Sequence, residues 1–286
     1  TGAGQGGTGG SMSLYTGLGT ETSSGTIVIK TSNAGSFGMS GALMFSSGTT
    51  SSGSSGVIQI GSGTATKGKG GSIELTVGHS ITTVTEDGGV ITVTAGTTTA
   101  SARDGGSIDV MAGVSKNVAP TNMGGYIRLH TGAGQGGTGG SMSLYTGLGT
   151  ETSSGSIVIK TSNAGSLGMS GALMFSSGTT SCGASGVIQI GSGTATQGKG
   201  GYLKMTVGRT TDSGGKDGGV ITIVSGMTTD DTQIGGSIDV LSGISQNESP
   251  TNMGGYIRLA TGAGQGGTGG SMSLYTGLGT ETSSGT

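Results

Sequence analysis

One cysteine, Cys182, stands in 286 residues, so no disulfide can form within the chain. The matching position one long repeat earlier is Ser52, and Cys182 reads as a small turn residue, with an inter-chain bridge as the lesser alternative. Tryptophan is absent, aromatics are 3% and charged residues 9% of the chain. The net charge of −2 is too small to draw the chain to nucleic acid or an anionic membrane. No apolar run approaches the roughly 20 residues of a membrane span. Two prolines are present, and no helical periodicity lies between the apolar positions. These absences exclude a disulfide scaffold, a membrane-inserted chain and a nucleic-acid binder, and leave self-association as the expected partnership.

What is present is glycine, 69 residues of it, and repetition. Thr1-Gly-Ala-Gly-Gln-Gly-Gly-Thr-Gly-Gly-Ser-Met-Ser-Leu-Tyr15 returns unchanged at 131–145 and at 261–275, an offset of 130 residues each time. Residues 1–130 form repeat 1, 131–260 repeat 2, and 261–286 the start of repeat 3. The sequence enters and leaves in mid-pattern, which leads us to expect an uncapped array that continues or joins end to end.

A shorter repeat runs inside the long one: Gly, any residue, apolar, any residue, apolar. It reads Gly10-Ser-Met-Ser-Leu14, Gly25-Thr-Ile-Val-Ile29, Gly41-Ala-Leu-Met-Phe45, Gly56-Val-Ile-Gln-Ile60, Gly71-Ser-Ile-Glu-Leu75, Gly89-Val-Ile-Thr-Val93, Gly106-Ser-Ile-Asp-Val110 and Gly125-Tyr-Ile-Arg-Leu129, then begins again at Gly140. The spacing is 15 to 19 residues, with eight short repeats per long one. Alternation of period two specifies strands with one buried face. Asn-Gly hairpin signals are absent, and uniform spacing favours a winding coil. The fold expected is therefore all-β, a parallel β-solenoid (β-helix) running continuously over 1–286. Each coil would rise about 4.8 Å, and one long repeat about 38 Å. Met12, Ile27, Leu43, Ile58, Ile73, Ile91, Ile108 and Ile127 would stack as an inward ladder. Gly17, Gly48, Gly63, Gly78, Gly96 and Gly113 would turn the corners. Asp109 would pair with Arg128, and Asp239 with Arg258, across adjacent coils.

Several sequences imitate chemical motifs. Gly63-Thr-Ala-Thr-Lys-Gly-Lys-Gly70 approaches a phosphate-binding loop but ends on glycine where a hydroxyl must hold magnesium. Gly4–Gly9 fits G-x-G-x-x-G, a match without weight in a chain this rich in glycine. Gly105-Gly-Ser-Ile-Asp-Val110 shares part of the calcium β-roll pattern but not its nine-residue period. Glu74 becomes Lys204, His79 becomes Arg209 and His130 becomes Ala260 one repeat on, so no acid–base set occurs in both repeats. Neither enzyme activity nor a cofactor nor a metal is expected. Asn247-Glu-Ser249 is the single N-glycosylation sequon, with Pro250 directly after it.

Val28, Met44 and Val57, with their counterparts Val158, Met174 and Val187, point outward on the expected sheet and form a candidate lateral contact patch. The pairs Thr20/Thr22, Thr64/Thr66 and Thr97/Thr99 sketch a threonine array of the ice-binding kind, interrupted by Gly35-Ser-Phe-Gly38 and Val114-Ser-Lys116. Between repeats 1 and 2, 33 of 130 positions differ, and 28 of these lie in 72–130, around the longer short repeats where bulging loops tolerate change.

The stretches Ser24-Gly-Thr-Ile-Val-Ile-Lys-Thr-Ser-Asn-Ala-Gly35, Ser40-Gly-Ala-Leu-Met-Phe-Ser-Ser-Gly48 and Gly70-Gly-Ser-Ile-Glu-Leu-Thr-Val-Gly78 resemble the long Gly/Ser/Thr-rich tandem-repeat β-solenoid proteins predicted from diatoms and related microalgae. The resemblance covers the whole chain in repeat style and implies a large secreted or cell-surface protein with no catalytic residues. The function expected is structural: an extracellular fibre or surface filament, with an adhesin stalk and an ice-binding rod as alternatives.

Overall fold

A computed structural model of the chain describes residues 2, 7–81, 87–116, 122–211, 217–230, 232–246 and 252–277. The chain divides into two units, Thr1–Ser143 and Leu144–Thr286, and the same local architecture recurs within each. Pro120, Pro250 and the sequon at 247–249 lie outside the described residues.

Among the described residues there is neither a helix nor a strand, so the parallel β-solenoid is not formed. What replaces it is equally periodic. Among the described residues of the first unit, sharp bends recur at 20–22, 36–38, 51–53, 66–68, 100–102 and 135–137, one in each short repeat described throughout. The second repeats them at 150–152, 166–168, 181–183, 196–198, 232–233 and 265–267. Between bends the backbone runs as arms without a turn, and each arm carries one Gly-x-apolar-x-apolar motif at its centre. A solenoid coil of this thinness needs two corners; the short repeats described throughout bend sharply once each.

The hydrogen bonds identify the difference. In a stack of coils Gly25 would lie beside Gly10, one strand spacing away. Instead the Gly25 N–H donates to the carbonyl of Gly17 at 3.4 Å. Gly17 is seven residues beyond Gly10, about 23 Å along an extended strand. The same closure joins Gly106 to Gly96, Gly125 to Gly113 and Gly140 to Gly132, each at 2.8 Å. Gly17, Gly96 and Gly113 are thus hydrogen-bond acceptors at the base of a loop and not corners. None of the six glycines assigned to corners falls at a bend or has a left-handed φ. The left-handed glycines among the described residues are Gly38, Gly53, Gly136, Gly183 and Gly266, each inside or at the edge of a bend. Ala102 joins them at φ 57°, the one described non-glycine residue with positive φ, in the turn at 101–102.

No described residue is buried, and no hydrophobic core exists among them. The accessible surface is 28811 Å² for 27.1 kDa. A folded globule of this mass exposes about 11,000 Å² and a fully unfolded chain about 39,000 Å². The expected inward ladder therefore packs on nothing. A trace of the period-two pattern survives within each arm. Ile27 is 48% and Ile58 52% exposed, against 72% for Val28 and 87% for Val57. The alternation is a property of the arm and is not completed by a partner arm. The ion pairs expected across adjacent coils are likewise not formed; the Arg128 guanidinium lies over the ring of Tyr126, two residues back on its own arm, at 4.5 Å from the ring centre.

Candidate functional site

The recurring feature with geometry of its own is the glycine neck. At the hydrogen-bonded necks the arm ends in a small residue followed by glycine: Thr16-Gly17, Ala95-Gly96, Ala112-Gly113, Thr131-Gly132. The next arm starts with a glycine that comes back against this pair. At Gly106 a β-carbon would sit 3.1 Å from the Gly96 nitrogen and 3.3 Å from the Ala95 β-carbon, closer than side chains ordinarily approach. Absence of a side chain is what lets the two backbones meet there. Gly19, within the first fully described loop, is confined in the same way: a β-carbon would sit 2.5 Å from the carbonyl oxygen of Ser23.

The second unit closes identically, with Gly155 donating to Gly147 at 3.2 Å, Gly236 to Gly226 at 2.9 Å, Gly255 to Gly243 at 2.8 Å and Gly270 to Gly262 at 2.9 Å. At three positions where the backbone bond is not made, a hydroxyl takes its place. Thr31 Oγ1 donates to the Gly41 carbonyl at 3.0 Å, Ser62 Oγ to Gly71 at 3.0 Å, and Ser192 Oγ to Gly201 at 3.2 Å. The hydroxyl-rich composition thus has a structural use at the necks and again in the bends. Thr50 Oγ1 accepts from the Ser52 N–H at 3.3 Å and donates to the Ser52 carbonyl at 3.1 Å. Thr180 does the same for Cys182, which is exposed and occupies a turn position equivalent to that of Ser52.

The necks also explain why no sheet forms. A ladder continued outward from the Gly17–Gly25 bond would be antiparallel. It would set Leu14 opposite Val28 and Met12 opposite Lys30, leaving Ile27 and Ile29 on the other face. Every neck repeats this offset, because each joins the seventh residue after one motif glycine to the next motif glycine. A register displaced by one residue sends each apolar set to opposite faces of a sheet. Neither face of such a hairpin would be apolar, so burial cannot hold the arms together beyond the neck. One trace of the frustrated pairing remains: Phe45 shares a hollow with Ile58, Gln59 and Ile60, where Gln59 is its opposite number across the loop. Phe175 with Ile188, Gln189 and Ile190 repeats it in the second unit.

A carboxylate braces the turn at 232–233. Asp230 Oδ1 accepts from the Thr232 hydroxyl at 2.7 Å and from the Thr232 N–H at 2.8 Å. These two bonds, the hydroxyl first, hold its carboxyl below the usual value despite a small opposing desolvation. A depressed carboxyl stabilises the turn above its ordinary range and releases it as pH falls through the lowered pKa. The Thr232 amide resonance is therefore expected to shift and its exchange to quicken in acid. The equivalent loop of the first unit, with Ala100 in place of Asp230 and its N–H bonded to Thr98 Oγ1 at 3.2 Å, should show no such transition. Identical acid responses in the two loops would contradict the assignment.

The candidate contact residues are all exposed, Val28, Met44 and Val57 in the first unit and Val158, Met174 and Val187 in the second, each on a separate arm. Without a sheet they are not aligned side by side; each makes its own arm apolar on both faces. Thr20/Thr22 and Thr97/Thr99 sit in neck loops, where no sheet aligns them. No helix follows the phosphate-loop imitation at 63–70, which contains a bend at 66–68. Among the described residues no three His, Cys, Asp or Glu side chains converge to hold a metal ion, and no helix is long and apolar enough to cross a membrane. The sequence pattern hides the necks, because Gly17, Gly96 and Gly113 suit corners equally well. The signal was the small residue before each acceptor glycine, which a corner does not require. Comparison of the chain with family models, curated proteins and solved structures yields no match.

Proposed function

We propose that this is a structural protein, a tandem-repeat component of an extracellular fibre or surface filament, that assembles by pairing with further copies of itself. The observation that carries the reading is the exposure of alternating apolar arms in a chain without a core. Soluble monomers rarely leave contiguous apolar patches larger than a few hundred square ångströms uncovered. An arm such as Gly25-Thr-Ile-Val-Ile-Lys30 has a strand's side-chain pattern, and no ladder of backbone bonds along its length in the described structure. The intramolecular partner offered by the neck is out of register. A second copy is under no such constraint, and the identity of 261–275 with 1–15 and 131–145 offers many equivalent pairings. The low net charge adds little repulsion. The secreted or cell-surface setting rests on the repeat style alone. The adhesin stalk remains a variant of the same use, distinguished by a non-repeat binding head elsewhere in the gene product.

Purified chain at rising concentration is expected to pass from monomer to fibres with a strand-spacing reflection at about 4.8 Å. A chain that stays monomeric at millimolar concentration would remove the proposal.

A further inference from the structure

We infer that the glycine necks store length: each closed loop is a reserve of chain that opens under tension and recloses on release, making the protein an extensible tether. This goes beyond the fibre reading and does not depend on it, since it concerns a single chain.

Five necks have loops described throughout: Gly17–Gly25, Gly96–Gly106, Gly132–Gly140, Gly147–Gly155 and Gly262–Gly270. Each is closed by one backbone hydrogen bond of 2.8 to 3.4 Å and contains no buried residue. A closed neck holds its two ends about 5 Å apart, as in a paired strand. Fully drawn out, eight residues span about 29 Å and ten about 36 Å. Opening one neck therefore releases roughly 24 to 31 Å at full stretch. No core must be broken to do so, because none of the described residues is buried. Loops of this length reclose in about 10–100 ns. Opening and closing should then stay at equilibrium during any slow pull, without rupture events. A β-carbon would be crowded at Gly25, Gly106, Gly140 and Gly155, with a neighbour within 3.2 Å, and at Gly270 it would touch Gly262 and Thr261 at 3.5 Å, leaving valine's two methyl groups to crowd the neck; Gly106 and Gly140 both meet the acceptor glycine's nitrogen within 3.4 Å.

The test is single-molecule stretching of the 286-residue chain, tethered at its ends and dilute enough to exclude pairing. Three forms are compared: the natural sequence, a variant with valine at the five neck glycines, and a control with valine at Gly35, Gly61, Gly165, Gly191 and Gly200, where nothing lies within 4 Å of a would-be β-carbon. The natural chain should extend smoothly and reversibly. The neck variant should be longer at low force and converge with the natural chain at high force, where only covalent length counts. The control should superimpose on the natural chain throughout. In parallel, the amides of the five neck glycines should exchange severalfold more slowly than those of Gly35 and Gly61. A saw-tooth trace would overturn the inference, as would coincident curves for the neck variant and the natural chain. An equal shift in the control, or equal exchange rates at neck and non-neck glycines, would also overturn it.

Discussion

Deleting one residue from each arm, at the fifth position after the motif glycine, is expected to convert this open chain into a sheet. In repeat 2 the deletions are Tyr145, Lys160, Ser176, Gly191, Thr206, Val224, Leu241 and Ala260. The neck now joins the sixth residue after one motif glycine to the next motif glycine, across an arm one residue shorter. Continued outward, the ladder sets the second and fourth positions of one arm against the fourth and second of the next. Leu144 would face Ile157, and Met142 would face Ile159. Both apolar sets then share a face, and an antiparallel meander with one buried side becomes available. Each newly covered Ile, Leu or Val contributes about 1.5–3 kcal/mol at full burial. Amide I infrared and circular dichroism should change from a spectrum without sheet to one dominated by antiparallel sheet, at concentrations where the natural chain is monomeric. A deletion variant with an unchanged spectrum would show that register is not what keeps the arms apart.

The second large effect concerns assembly. Replacing Val28, Met44, Val57, Val158, Met174 and Val187 by threonine keeps the strand-compatible shape at the four valines and removes the apolar second face of six arms. Burying a Val or Met side chain is worth about 1.5–3 kcal/mol. Even partial burial at a few of these sites in a chain-to-chain contact exceeds 1.4 kcal/mol, which is about a factor of ten in an association constant. The concentration at which fibres appear should rise at least about tenfold, with no change in the monomer's spectrum or in the exchange of its neck amides. An unchanged onset would mean that the chains associate through the Ile27-type positions alone.

The two effects show how far the residues themselves carry the structure. The 130-residue repeat, its eightfold subdivision and the period-two alternation are all legible in the chain, and the structure keeps each of them as a regular train of arms and bends. Hydroxyl-rich turns are legible too, and Thr50 and Thr180 close them as such residues do elsewhere. What the pattern does not distinguish is where a loop closes. A spacing of 15 residues suits Gly25 stacked on Gly10 as well as Gly25 bonded to Gly17. The choice depends on a small contact, Thr16 or Ala95 against the returning glycine, that contributes almost nothing to hydrophobic periodicity. Once the neck is made, the apolar positions fall out of register. An alternation that reads as a buried face becomes an exposed one, so Ile27 and Ile58 remain half-exposed for want of a partner. The absence of Asn-Gly points away from hairpins and toward a winding coil, yet the chain turns back on itself at the necks, through loops of seven to eleven residues that need no such turn.

The neck itself is the claim on which the rest depends, and isotope-edited NMR of the dilute monomer reads it directly. The necks predict through-space contacts from the Gly25 amide to Gly17 and Thr16, and from the Gly106 amide to Gly96 and Ala95, with none to Gly10 or Gly89. Contacts of Gly25 with Gly10 and of Gly106 with Gly89 would mean that the arms lie side by side in parallel, and would contradict the structure described above.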